Sequence, residues 1–268
     1  MKRNFLWVTC ILLLLTITFS SWKAESTKRI HHKAHTVKLH KGASSKELFS
    51  DYIEDIYNTA ELHAAGLDYS VFQKAVVGYF NLKAASMVPQ TSSVITIVDL
   101  AKSSMTKRMW IVDLMDKNLL LHTLAAHGSG SGGDVPTYFS NSTDSHASSL
   151  GFYVTNGVYY GKHGQSLKLD GVDAGFNDNA RSRGIVVHGA PYVSQGSIDQ
   201  LGRLGRSEGC PAVPGKMIKK VINTIKGKTV LFINGNDYTY TSKYLDQDAA
   251  ANYVYPVSQG SQTVNASL

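Results

Sequence analysis

The hydrophobic period of this chain changes from helical to strand-like at Val94, and that change constrains the fold more than any other feature. Ser44-Ser45-Lys46-Glu47 has the form of a capping box, in which Ser and Glu side chains satisfy each other's backbone N–H groups at a helix start. After it, Leu48, Phe49, Tyr52, Ile53, Ile56, Tyr57 and Ala60 recur at helical spacing, so a helix is expected as far as Gly66. A second helix is expected from Ser70, burying Phe72, Ala75, Val76, Tyr79 and Phe80. Together they predict a helical hairpin over 46–88. From Val94 the pattern is β-branched and alternating: Val94 to Val98, then Met109 to Leu114, a turn at Asp116-Lys117-Asn118, and Leu119 to Ala126. This reads as the start of an antiparallel sheet. Phe152 to Val154, Leu167 to Leu169, Ile185 to Val187 and Thr229 to Ile233 read as further strands. Pro214 is expected to open a helix with Met217, Ile218, Val221, Ile222 and Ile225 on one face, stopped by Gly227. The fold class is therefore mainly β with flanking helices, with the main domain over 90–236. The segment 237–268 reads as a polar C-terminal tail.

The stretch from His127 to Ser149 is rich in Gly, Ser, Asp and Asn and reads as a long loop. Long ordered loops in compact domains are usually functional.

Residues 1–22 have the form of an export signal: Lys2 and Arg3, then an uncharged apolar run from Phe5 to Phe19. The run is shorter than the ~20 residues of a comfortable membrane span. Cleavage is expected; a retained N-terminal anchor, giving membrane association, is the alternative. Residues 23–45 read as a basic flexible tail with His31, His32, His35 and His40, which are either metal ligands or part of a solvated linker. The formal net charge of +7 favours an anionic polymer or a membrane surface as partner. Nucleic acid is not expected, because an exported chain rarely meets it and no nucleic-acid motif is present. The sequence sets no oligomeric state.

Cys10 lies in the leader, so a cleaved chain carries one thiol, Cys210, and no internal disulfide. An ordinary thiol, with a pKa of ~8.5, is little ionised at neutral pH and needs a base or a cation nearby to act as a nucleophile. His188 stands 22 residues upstream, at the end of Ile185-Val186-Val187 and before Gly189. Gly209 permits a tight backbone, so main-chain N–H groups near Cys210 are candidates for holding an oxyanion. The pair suits nucleophilic acyl transfer through a thioester. A small buried cysteine and a satisfied core histidine are the bland alternatives.

At these residues the chain resembles the L,D-transpeptidases of bacterial cell-wall synthesis. His188-Gly189, a spacer, and Ser207-Glu208-Gly209-Cys210 carry the resemblance. His127-Gly128, Phe139-Ser140-Asn141, Ser149 to Tyr153, Asn177 to Ala180 with Arg183, and Gly205-Arg206-Ser207 extend it toward a branch with a longer preface. The resemblance covers about Leu48 to Asn234. It implies a β-sandwich-like catalytic domain, here preceded by the helical hairpin, and neither cofactor nor metal. It implies that Cys210 attacks the carbonyl of the L-centre of diaminopimelate in a tetrapeptide stem and releases D-alanine. An acceptor amine then gives a 3→3 crosslink, or water gives carboxypeptidase action. The partners implied are peptidoglycan stem peptides, and the location is the periplasm or cell envelope. By position Gly189 supplies the backbone carbonyl that orients His188. A non-catalytic peptidoglycan-binding protein that keeps the fold is the alternative.

Two departures stand out. Glu208 occupies a position where relatives carry His, Asn or an aromatic residue, and Pro211-Ala212 lacks the basic or amide group common there. Arg206 or Arg183 is the candidate substitute for binding a stem carboxylate. Ser207 is expected to shape the turn, with Gly209 beside the oxyanion. Tyr153, Tyr159 and Tyr160 are either groove walls or core. His127, His146 and His163 read first as structural, with His127 a pocket wall or loop anchor. The histidines lack zinc-site spacing.

Overall fold

The computed structural model describes residues 43–256. The leader, nearly all of the basic tail and the last twelve residues lie outside the described residues. The chain begins as its capping box dictates. Ser44 Oγ accepts from Glu47 N–H at 3.2 Å, the Glu47 carboxylate accepts from Ser44 N–H at 2.8 Å, and α1 runs Ser45–Thr59. It ends short of Gly66. Glu61 takes a positive φ of 52°, Leu62 N–H donates back to the Tyr57 carbonyl, and the chain coils so that Leu62 and Leu67 are buried. The helix α2, Tyr69–Ala84, follows.

Eight strands form one mixed sheet: β1 Val94–Asp99, β2 Met109–Asp113, β3 Asn118–Thr123, β4 Gly151–Gly161, β5 Gly164–Gly171, β6 Val186–Ala190, β7 Ala212–Pro214 and β8 Val230–Asn234. Their order is β3-β2-β1-β8-β4-β5-β6-β7. The first three strands are antiparallel, as their turns dictate, but β8 lies parallel to β1 and β7 parallel to β6. The antiparallel start expected from the sequence is thus part of a mixed sheet. Parallel neighbours need crossover connections that a local turn pattern does not reveal. The two edge strands approach each other where Ala126, just past β3, bridges Ala212 of β7. The sheet thus curls toward a barrel.

Alternation decides which face each strand side chain meets. Ile95, Ile97, Trp110, Phe152 and Phe232 pack beneath α1 and α2. Ile111, Tyr153, Leu167, Val187 and Leu231 face the opposite core with α4, Ile218–Ile225. Gly78 is the close-contact point of α2 and the sheet: a Cβ there would stand 2.0 Å from the Phe152 ring, so only glycine fits. Phe152 in turn stacks on Phe232 at 4.4 Å.

Pro214 does not open a helix. It ends β7, a 3-10 turn over Gly215–Met217 follows, and α4 begins at Ile218. A short helix, α3, spans Gln195–Leu201, where no amphipathic pattern announces it. The segment after β8 also carries structure: α5 spans Gln247–Val254 and buries Ala250 and Ala251. Asn81 Nδ2 donates to the carbonyls of Tyr244 and Asp246, tying α2 to this segment. Asp173, buried between β5 and the next turn, accepts from the Tyr240 and Ser242 hydroxyls.

Candidate active site

Cys210 and His188 are placed by neighbouring strands: His188 lies in β6, and Cys210 leads into β7, which runs parallel to it. Register pairs His188 with Ala212, two residues beyond Cys210. Cys210 is buried, 9% exposed, and its sulfur lies against the start of β6. Val186 N–H donates to Sγ at 3.4 Å, and the thiol donates to the Gly184 carbonyl at 3.8 Å. Cys210 and His188 share no direct hydrogen bond among the described residues. Val186 and His188 stand two residues apart on β6, on one side of the strand and about 7 Å apart along it. Burial pushes the Cys210 thiol up, while the Val186 N–H, then Arg183 and Lys162, pull it back toward the thiolate.

His188 is 1% exposed. Its Nδ1 contacts the Gly189 carbonyl at 3.1 Å, and a carbonyl only accepts, so Nδ1 carries a proton and, in the neutral ring, Nε2 is the basic nitrogen. Burial lowers the His188 pKa, the Gly189 carbonyl opposes that, and His163 and Lys162 lower it further. His163, in the tight turn between β4 and β5, stacks on the His188 ring with centroids 4.1 Å apart and planes at 21°. Nothing in the His163 sequence context separates it from a loop histidine; the contact arises because β5 pairs Ser166 with His188.

The turn before the thiol is set by Ser207 and Gly209. Ser207 Oγ donates to the Cys210 carbonyl at 2.6 Å and accepts from Gly209 N–H at 3.2 Å. Ser207 N–H donates to the His127 carbonyl and Ser129 N–H to the Ser207 carbonyl, so the turn is strapped to the long loop. Gly209 has φ of 112°, and a Cβ there would stand 2.7 Å from the Ala147 carbonyl oxygen. Glycine is required on both counts.

The two candidate arginines are both occupied. Arg183 donates to the carbonyls of Ser140 and Ala147 and the hydroxyls of Ser145 and Ser149, which organises the loop before β4 beside Gly209. Arg206 donates to the carbonyls of Gly132, at 2.8 Å, and Ser129. Neither has a carboxylate partner among the described residues. Tyr153 is corrected from groove to core: it is fully buried, with its hydroxyl donating to the Ser149 carbonyl at 2.9 Å. Alternation at β4 turns it inward. Tyr160, by contrast, is exposed. Glu208 pairs with His146 across the loop, both exposed. His127 is a buried anchor whose Nδ1 accepts from Arg108 at 2.7 Å. Among the described residues no cluster of three or more His, Cys, Asp or Glu side chains has metal-site geometry. None of their helices is long and apolar enough to cross a membrane.

The site thus holds a thiol between backbone groups, an imidazole whose Nδ1 faces a carbonyl and whose pKa is lowered by burial, and a glycine turn, an arrangement suited to acyl transfer to sulfur. No curated protein matches the chain. The chain is similar to an L,D-transpeptidase from Mycobacterium smegmatis, at 13% identity over 53% of this chain and 59% of that one, TM-score 0.32. It is similar to the helical cell shape determining protein Pgp2 from Campylobacter jejuni, at 11% identity over 66% and 63%, TM-score 0.37. It is similar also to an L,D-transpeptidase from Xylanimonas cellulosilytica, at 15% identity over 60% and 79%, TM-score 0.30. The chain spans less than two thirds of the length of the first two. The sequence model of the L,D-transpeptidase catalytic domain matches residues 63–234, more than half of the chain. On that match, the chain belongs to the L,D-transpeptidase catalytic domain family.

Proposed function

We propose that this protein is an exported peptidoglycan L,D-transpeptidase of the cell envelope, with Cys210 as nucleophile and His188 as its base. The supporting observation is the contact between His188 Nδ1 and the Gly189 carbonyl. With Nδ1–H held by the Gly189 carbonyl, Nε2 is left to accept a proton, on the strand next to the one that Cys210 leads into. The thiol leaves its contact with the Gly184 carbonyl and passes its proton to Nε2. The thiolate attacks the carbonyl of the L-centre of diaminopimelate in a tetrapeptide stem. Main-chain N–H groups beside Cys210, other than the Gly209 N–H that Ser207 Oγ already takes, hold the developing oxyanion. The tetrahedral intermediate collapses to a thioester, and terminal D-alanine leaves as an amine with the proton from His188. An acceptor amine then loses its proton to His188 and attacks the thioester, giving a 3→3 crosslink and restoring the thiol. Water in place of the amine gives the trimmed tripeptide.

Arg183 acts by position: it ties the loop from Ser140 to Ser149 against Gly209 and contributes positive charge toward the sulfur. Digestion of purified muropeptides, with products identified by mass spectrometry, tests the proposal. Dimers linked 3→3 or tripeptides, absent with Cys210→Ala, support it. Unchanged muropeptides with a folded protein and a free thiol refute it, and sedimentation with sacculi in that case supports a binding protein instead.

A further inference from the structure

The two edges of the sheet touch once and then part. Ala126 N–H donates to the Ala212 carbonyl at 2.8 Å in an antiparallel bridge. Continued, that ladder would set Leu124 against Pro214 and His122 against Lys216. It stops because Pro214 has no N–H to give and the chain turns into a 3-10 helix at Gly215. The edges splay, and a cleft of about 630 Å3 opens between them. Leu124, Val193 and Met217 give it apolar walls, and Ser194 and Gln195 of the α3 start line one side.

The charge on this lining has one sign. Lys107 and Lys216 are its charged groups, and no carboxylate lines the cleft. Neither lysine takes part in any ion pair among the described residues. His122 stacks on Trp110 at 5.0 Å and its Nε2 donates to the Lys107 carbonyl at 3.2 Å, which fixes the ring beside the lysine. Two unpaired ammonium groups over an apolar floor match a short peptide carrying carboxylates. An anionic polymer with a charge at every repeat would call for a longer row of cations than two.

Neither Cys210 nor His188 lines the cleft. Yet Ala190, which lines the cleft, directly follows the Gly189 that holds His188. We propose that this seam is a second, non-catalytic binding site for a carboxylate-bearing stem peptide, held by Lys107 and Lys216. The choice of stem peptide rests on the proposed function above. Such a site would retain uncut wall beside the reacting strand.

The test is calorimetric titration of the full chain carrying Cys210→Ala with a soluble disaccharide-tetrapeptide, alongside the same chain with Lys107→Gln and Lys216→Gln added. A lysine-dependent binding event, in addition to binding at the catalytic site, is expected in the first, and in the second that event is weakened at least about tenfold, the cost of losing charge-assisted bonds. A peptide with amidated carboxylates is expected to lose the same event. Melting temperatures of the two proteins should agree, since both lysines lie at the surface of the cleft. Identical titrations would overturn the site, as would inorganic phosphate abolishing the lysine-dependent event at equal concentration. Cys210 acylation in the Lys107→Gln, Lys216→Gln protein keeps the enzyme reading apart: it persists if only the cleft assignment fails. Lysine-dependent binding without any acylation of native Cys210 would sink the enzyme and leave the cleft.

Discussion

His163 lies face to face with His188, ring centroids 4.1 Å apart, although 25 residues separate them in the chain. The β4–β5 turn thereby covers the one imidazole that the proposed chemistry requires to be neutral. His188 must be unprotonated to take the thiol proton. Its pKa is lowered first by burial, with the Gly189 carbonyl opposing and His163 and Lys162 adding to the fall. The acid limb of the rate profile should therefore lie below the ordinary histidine value of about 6.5. His163→Ala removes cover and a contribution that lowers the His188 pKa, so His188 moves back up and the limb shifts to higher pH. His163→Phe keeps a stacked ring over His188 and should shift it less. The measurement is kcat/KM against pH on a soluble muropeptide. A limb that does not move in His163→Ala would assign the stack to packing alone.

Folding stability should fall on the acid side for a related reason. The His127 pKa is lowered from 6.5 to about 4, first by burial and then by Arg108, whose guanidinium donates to Nδ1. A group with a depressed folded pKa contributes stability that is present above its unfolded value and lost as pH falls through the folded one. The window is thus from about pH 6.5 down to about 4, and the loss is of order 3 kcal/mol at the low end. His122 and His188 shift in the same direction. Thermal melts across this window should show a falling Tm, and His127→Gln should flatten the slope while lowering the plateau. A slope unchanged by His127→Gln would place the acid sensitivity elsewhere.

Gly209→Ala should disable the protein through the backbone. The added Cβ meets the Ala147 carbonyl oxygen at 2.7 Å, and φ of 112° is one that L side chains rarely adopt. The turn that presents Cys210 would have to reform, at a cost above about 1 kcal/mol. Loss of turnover with a modest drop in Tm is expected, and full activity in Gly209→Ala would show that the turn is not needed in this form.

The strands and helices of the core were legible because their periods are strong: Ile95 and Ile97 against Val98 in β1, and Phe49, Ile53 and Ile56 in α1, declare their faces in the sequence. The parallel pairing of β8 on β1 was not, since it joins residues more than 130 positions apart. Nor was β7, whose three residues follow Cys210 and end at a proline that reads equally well as a helix start. In the site, the Gly-Cys and His-Gly pairs stood out by residue type. Arg183 offered a charge but not its destination, because its four partners come from a loop without period. The thiol's contacts, Val186 N–H and the Gly184 carbonyl, are backbone groups that any sequence would supply. His163 reaches His188 only through strand register, which a short polar turn does not encode.

The central claim is that Cys210 carries the acyl group, and intact-protein mass spectrometry reads it directly. Native protein mixed with a disaccharide-tetrapeptide and quenched in acid within seconds should gain the mass of the donor less D-alanine. Peptide mapping should place the adduct on Cys210, and Cys210→Ala should gain nothing. Native protein that is folded, retains a free thiol and forms no adduct, while muropeptides pass through unchanged, would contradict the account.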